Sequence, residues 1–372
     1  MQRHTTQASL NHVRLLLEEG RSEDALLVLQ AIATDDEAHQ RDVTYLRGWY
    51  YILNKQWQDV THTLSPLLPR AQIAIKDGQQ ETLVEREIAA LHLLHLGQVA
   101  IKLAHYEDAS QHFALCLRLL HDRRVYFPEL RIEVRYQLAL TYLARKSYTA
   151  ALQNYEDALR LCRHYKLNKT VSTIYRDMSE AYEGLGEFGN AQEAALAALH
   201  LFRENGDTFA QASILHLLGR LSFSLDHYSA SEDYYTQSLT LGVSNDVQDL
   251  VVRNHVALAE LFLKKGDIDG AKGHMRDTLA PSTQTNEVSL CGIVYATLGN
   301  VTLAEAHRTE GVERQRLLDE AIARLLQAVP LLESSQSTNK LREVYNTLAT
   351  VAEELGHEQA AFAYWKLACQ KA

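Results

Sequence analysis

The amino-acid sequence predicts an all-α protein, a right-handed superhelical solenoid of about nine helical hairpins with a period of about 40 residues. Three observations support this prediction. A ladder of small and aromatic residues recurs along the chain, and its copies follow each other at nearly constant steps. The 372 residues include 17 Gly and 5 Pro, which is too few turn-forming residues for an all-β sandwich or barrel, and the hydrophobic share of 46% is too high for a disordered chain.

The ladder begins with Leu and a small residue and continues with a small, an aromatic and a second small residue. A clear copy reads Leu218-Gly219, Ser231, Tyr235, Ser238. Other copies begin at Leu96-Gly97, Leu138-Ala139, Met178-Ser179, Leu258-Ala259, Leu298-Gly299 and Leu348-Ala349, with weaker ones around Gly48 and Ala25. The second halves open at positions 25, 60, 109, 151, 191, 231, 271, 321 and 361, and the three steps from 151 to 271 are 40 residues each. Nine such units account for nearly the whole chain.

Each unit is predicted to be a helical hairpin. A turn signal lies near its middle, as at Gly186, Asp226 and Gly266, and the apolar residues on either side follow helical spacing. Small residues in both halves allow the two backbones to approach closely, and the aromatic residue fills the space beside them. Because one hairpin cannot bury both of its faces, neighbouring hairpins must stack.

The ladder of Leu-Gly, aromatic, Ala, aromatic and Ala resembles the tetratricopeptide repeat over roughly the whole chain. The period is about 40 residues instead of 34, and the proline that usually closes each unit is missing, so the helices are expected to be longer. Long, proline-poor repeats are similar to the regulatory arrays of bacterial Rap-type and PlcR-type peptide receptors and of MalT-like regulators. This resemblance implies a regulator that binds a protein or peptide.

Two places interrupt the period. Pro66 and Pro69 lie between the second and third repeats. This predicts an N-terminal block of repeats 1–2 over residues 1–70 and a main array of repeats 3–9 over residues 71–372. A polar insertion near residues 307–316 lengthens the eighth repeat. Both places are interpreted either as surface elaborations of longer helices or as hinges.

Composition and motifs argue against several functions. The net charge of −10 disfavours direct binding of nucleic acid or an anionic membrane, and the most apolar stretch, residues 88–104, is interrupted by His and Lys. Four cysteines without a CxxC pair fit a reducing, cytoplasmic setting. His92 and His95 share a helix face, but no further ligand completes a metal site, and no HExxH, GxSxG or Walker motif occurs. We therefore expect a non-enzymatic protein without a metal or cofactor.

In such an array the first helix of each unit lines the concave groove. The residue after each Leu-Gly pair and the residue four positions before it face this groove. The candidate binding residues obtained in this way are Tyr45, Trp49, Gln98, Tyr136, Arg176, Glu180, His216, Arg220, Glu260, Asn300 and Asn346. Arg176 and Arg220 suit a carboxylate, and the two asparagines suit a peptide backbone. The alternative is a solvated groove in which Arg176 pairs with Glu180.

The predicted function is that of a regulatory receptor or scaffold that holds a protein or peptide in the groove and responds by a change of curvature. A constitutive adaptor subunit of a protein assembly is the alternative, and a Rap-like modulator of a response regulator is a third candidate. The sequence ends inside the last ladder, near Trp365 and Ala368, without a polar capping helix. We therefore expect homo-oligomerisation or docking of a partner through that end.

Overall fold

The structure is a computed structural model that describes residues 2–54, 56, 59, 62–63, 83–120, 128–168, 170–282 and 287–371. Within these residues the chain forms seventeen helices and no strand, which confirms the all-α prediction. The helices are α1 (Gln2–Glu18), α2 (Ser22–Ala31), α3 (Glu37–Leu53), α4 (Leu83–Lys102), α5 (Tyr106–Leu119), α6 (Pro128–Ala144), α7 (Tyr148–Tyr165), α8 (Val171–Gly184), α9 (Phe188–Glu204), α10 (Thr208–Ser224), α11 (Tyr228–Ser244), α12 (Gln248–Lys265), α13 (Ile268–Ser282), α14 (Val288–Ala306), α15 (Gly311–Ser334), α16 (Thr338–Glu354) and α17 (Glu358–Gln370).

Contacts between helices divide the chain into two compact units, Met1–Leu185 and Gly186–Ala372, called unit 1 and unit 2 below. In unit 1, helix α4 pairs with α5 and α6 pairs with α7. Unit 2 contains four hairpins, in which α10, α12, α14 and α16 are the first helices and α11, α13, α15 and α17 are the second. The predicted break at Pro66 and Pro69, and with it the boundary between residues 70 and 71, lies outside the described residues and remains a prediction.

The residues of the ladder form the contact between the two helices of a hairpin. A Cβ atom added to Gly219 would lie 2.5 Å from the ring of Tyr235, and one added to Gly97 would lie 2.4 Å from the ring of Phe113. The buried hydroxyl of Ser231 donates a hydrogen bond of 2.8 Å to the carbonyl oxygen of Gly219. In these two hairpins the aromatic ring occupies the space that a side chain at the glycine would need, so Gly219 is required by Tyr235 and Gly97 by Phe113.

Substitution of Gly219 by Ala is expected to destabilise unit 2 by about 1 to 3 kcal/mol, because the new methyl group overlaps the Tyr235 ring. Gly273→Ala is the matched control, because Gly273 lies inside α13 and a Cβ atom there has no atom within 4 Å. The control should be neutral or stabilising by up to about 1 kcal/mol. Urea denaturation of both variants measures these effects, and an equal stability of the two variants would contradict the close packing of α10 on α11.

The polar insertion near residues 307–316 is largely helical. Helix α14 ends at Ala306 and α15 begins at Gly311, so the added residues lengthen α15 to 24 residues. Glu354, near the end of α16, accepts hydrogen bonds of 3.0 Å from Nε2 of His307 and 2.9 Å from Arg314. The start of the longer helix α15 is therefore tied to α16 of the neighbouring hairpin.

Helix α14 is the most apolar helix of the described residues. Its apolar composition and its length of 19 residues would by themselves suffice for a membrane span. Gly292 and Gly299 of α14 lie against Leu332 and Leu325 of α15, and a Cβ atom at either glycine would be within 3 Å of a leucine side chain. The packing of α14 against α15 thus explains its apolar composition.

Candidate functional site

The two N-terminal candidates, Tyr45 and Trp49, lie on α3 in unit 1. Tyr45 is 1% exposed and belongs to the core formed by α1, α2 and α3, and Trp49 packs against the same core. Their ring centroids are 6.3 Å apart. Tyr45 is thus a core residue and not the groove-lining residue that the sequence predicted, because α3 turns this face towards α1 and α2.

Gln98 on α4 is half-buried. Its side-chain carbonyl oxygen is buried and has no hydrogen-bond partner among the described residues. A buried acceptor without a donor costs free energy comparable to a lost hydrogen bond.

A polar cluster in unit 1 joins the first helices α6 and α8. The hydroxyl of Tyr136 donates a hydrogen bond of 2.7 Å to Oδ2 of Asp177, and Nε of Arg176 donates one of 2.8 Å to Oδ1 of the same carboxylate. Asp177 is buried, so both donors compensate a desolvated charge. Burial first, and then the charge of Asp177, raise the pKa of Tyr136 above its usual value, which keeps this hydroxyl protonated.

Arg176 therefore forms an ion pair with Asp177, whereas its spacing in the sequence suggested Glu180 as the partner. Glu180, the partner suggested there, is exposed on α8. Burial lowers the pKa of Arg176, but the charge of Asp177 and the hydrogen bond to it, together with Tyr136 and the charge of Glu180, raise the net pKa. The guanidinium is 36% exposed, so part of its donor capacity still faces solvent.

Tyr155 on α7 adds a buried hydroxyl beside this cluster. The residue is fully buried, and its hydroxyl has no hydrogen-bond partner among the described residues. Its ring centroid lies 6.2 Å from that of Tyr136. Burial first, and then the carboxylate of Asp177, raise the pKa of Tyr155.

A chain of hydrogen bonds in unit 2 joins α10, α11 and α12. The Ser238 hydroxyl donates to the carbonyl oxygen of Ala212 over 2.7 Å, so it accepts from Nδ2 of Asn254 over 2.8 Å. Oδ1 of Asn254 is then the acceptor for Nδ1 of His216, 2.9 Å away. This order assigns the proton of the imidazole to Nδ1 and leaves Nε2 as an acceptor. Burial lowers the pKa of His216 to about 4, and the hydrogen bond to Asn254 opposes this shift.

A second polar cluster in unit 2 joins α12, α14 and α16. Nζ of Lys340 lies 3.1 Å from Oε1 of Glu260 and 3.0 Å from Oε2 of Glu343. The hydroxyl of Thr297 on α14 donates to the same oxygen of Glu260 over 3.4 Å. Three successive first helices thus place polar groups around one carboxylate.

The remaining candidates in unit 2 lie on the same helices. Arg220 is exposed on α10, one turn after His216, whereas Asn300 on α14 and Asn346 on α16 are half-buried. We call the following residues of the first helices the unit 2 strip: His216, Arg220, Glu260, Asn300, Lys340 and Asn346. The fully buried Asn254 and Thr297 form hydrogen bonds to this strip. The structure joins α10 to α12 and α12 to both α14 and α16 along this strip.

Comparison with known proteins identifies the repeat. Residues 132–165, which cover α6 and most of α7, match the family model "Tetratricopeptide repeat". The fold is that of a tetratricopeptide-repeat array. The predicted resemblance to this repeat, and to Rap-type arrays, is therefore confirmed at the level of the fold.

Three solved structures show the same arrangement over nearly the full chain. The apo form of the quorum sensor NprR from B. thuringiensis has a TM-score of 0.73 at 15% identity, with 99% of each chain covered. The apo form of RapI has a TM-score of 0.72 at 12% identity, with 99% of this chain and 97% of RapI covered. A plasmid Rap conjugation gene regulator in complex with a Phr peptide has a TM-score of 0.51 at 11% identity, with 99% and 94% covered.

Sequence reasoning missed several residues that the tetratricopeptide array brings to these sites: Asp177, Tyr155, Asn254, Thr297 and Lys340. Asp177 and Thr297 directly precede a ladder pair, where the copy at Leu218 has the apolar Leu217. A polar residue directly before a ladder pair could therefore have indicated these two residues as candidates. Among the described residues no group of three or more His, Cys, Asp or Glu side chains is arranged to hold a metal ion.

Proposed function

We propose that this tetratricopeptide array is a non-enzymatic regulatory receptor of the bacterial cytoplasm that binds a short peptide along the unit 2 strip. The observation that carries the proposal is the polar contact between successive first helices, which begins at His216 and Glu260, two positions that the repeat assigns to the ligand side. The shared fold with a quorum sensor and with a regulator bound to a Phr peptide supports it. In unit 1, Gln98 and the cluster of Tyr136, Arg176 and Glu180 offer further contacts to a ligand.

The chemistry of the unit 2 strip suits an extended peptide. The guanidinium of Arg220 can bind a carboxylate through two parallel hydrogen bonds. The amides of Asn300 and Asn346 each present a donor and an acceptor, which match a peptide group. The imidazole of His216 offers Nε2 as an acceptor, and with a pKa of about 4 it is too weak a base for general-base catalysis at neutral pH.

An adaptor in a stable protein assembly is the second candidate. Phe362 and Trp365 on α17 are 72% and 39% exposed, and both lie outside the unit 2 strip. Exposed aromatic side chains are enriched where proteins dock. Self-association or partner docking through α17, as the sequence suggested, remains a prediction.

Affinity selection from a pool of synthetic pentapeptides, read out by mass spectrometry, tests the proposed function. The wild-type chain is expected to retain a distinct subset of the pool. Arg220→Ala should weaken peptides with a carboxylate at the matching position by a factor of about 30 or more, because a desolvated ion pair is lost. Arg203→Ala, which removes an exposed arginine of α9 outside the strip, is the control and should bind normally.

Two results would contradict the proposed function. Retention by the wild type no higher than that by empty resin would remove short peptides as the ligand class. Equal retention of the same peptides by Arg220→Ala and wild type would show that binding occurs away from this part of the strip.

A further inference from the structure

The ion pair between Lys340 and Glu260 spans a whole hairpin. It joins residues 80 positions apart, on α16 and α12, whereas the other ion pairs between helices of unit 2 join positions 33 to 47 apart. Helix α14 packs against both α12 and α16 and therefore lies between them.

The local sequence explains how a lysine reaches across a helix. Ala296 and Thr297 on α14 are small and buried, so the helix between the two partners presents little bulk there. Thr297 also binds the carboxylate of Glu260 and so helps to orient it. Burial lowers the pKa of Lys340, but the charges of Glu260 and Glu343 outweigh it and raise the net pKa, so the lysine stays charged.

We propose that Lys340 is a latch that fixes the spacing of α12, α14 and α16 and closes the C-terminal part of the unit 2 strip. Lys340 occupies the carboxylate of Glu260, which a ligand in the strip would otherwise meet. The cluster of Lys340, Glu260 and Glu343 has two negative charges and one positive charge, so a cationic group of a ligand can replace the lysine ammonium. Release of Lys340 separates α16 from α12 and leaves α14 as the link between them.

Hydrogen exchange of the full chain without any ligand tests the latch directly. Lys340→Met keeps the length of the side chain and removes the charge. It is expected to increase the exchange rates of α16 and of the facing parts of α12 and α14 several-fold. Glu260→Gln should produce the same change, and the double variant should separate α16 from α12 no further, because both substitutions break the same contact between Lys340 and Glu260.

Lys272→Met is the matched control. Lys272 and Glu305 form an ion pair of nearly the same exposure as Lys340 and Glu260, but they join the consecutive helices α13 and α14. This variant should leave the exchange of α16 unchanged. The latch would be overturned if the exchange rates of α16 in Lys340→Met equalled those of the wild type. It would also be overturned if Lys272→Met accelerated the exchange of α16 as much as Lys340→Met does.

The inference that the latch closes the strip rests on the proposed function, and peptide retention tests it separately. The same pentapeptide pool is offered to the wild type and to Lys340→Met, and retention by the variant should increase at least threefold, because no contact must be broken before binding. Unchanged or lower retention would limit the latch to a structural tie. If neither chain retains peptides, the proposed function fails, whereas the exchange experiment still decides whether the latch exists.

Discussion

Acid is expected to destabilise unit 2 by about 3 to 4 kcal/mol through His216 alone, since its pKa falls by about 2.5 units and one unit corresponds to about 1.4 kcal/mol. The pKa of His216 falls from 6.5 to about 4 in the folded protein because burial disfavours the charged ring. Between these two values the unfolded chain binds the proton and the native state does not. The contribution is complete above pH 6.5, decreases as the pH falls towards 4, and changes no further below that.

The variant His216→Gln isolates this effect. Glutamine can donate a hydrogen bond to Asn254 but does not titrate, so the free energy of unfolding should depend less on pH between 6.5 and 4 than in the wild type. His200→Gln is the control, because it removes an exposed imidazole of α9 that lies outside the hydrogen-bonded chain of His216, Asn254 and Ser238. Parallel pH profiles of wild type and His216→Gln would show that His216 is not buried as described.

Substitution of Asp177 by Ala is expected to destabilise unit 1 by about 3 kcal/mol. The substitution leaves the hydroxyl of Tyr136 and the guanidinium of Arg176 without their shared acceptor in a largely desolvated site. It also removes the link between α6 and α8. Denaturation in urea at pH 7 measures the loss.

Glu204→Ala provides the comparison for Asp177→Ala. Glu204 is 59% exposed and pairs with His200 one turn earlier, so its removal should change the stability by less than about 0.5 kcal/mol. Asp177→Asn keeps an acceptor for Tyr136 and should lose less stability than Asp177→Ala. An effect of Asp177→Ala as small as that of Glu204→Ala would contradict the buried cluster.

The repeat made the fold predictable because each contact of the ladder is local. Gly219 and Tyr235 are 16 residues apart and meet within one hairpin, so their spacing repeats in the sequence. The same periodicity placed Glu260 and His216 on the first helices, where the structure has them in polar contact with the next first helix.

The contacts at the candidate site could not be predicted in the same way. Lys340 and Glu260 are two repeats apart, and no periodic pattern indicates which charged residue reaches across a helix. Arg176 binds the adjacent Asp177 because the buried carboxylate, unlike the exposed Glu180, requires a donor. Tyr45 has the spacing that predicts a groove-lining residue, but the helices around it bury its side chain.

The central claim is that the first helices of unit 2 hold a peptide. It is tested most directly by hydrogen exchange of the chain with and without a pentapeptide recovered by affinity selection. We expect slower exchange in α10, α12, α14 and α16, around Arg220, Glu260 and Asn300, and little change in the second helices. Protection confined to α11, α13, α15 and α17 would contradict it.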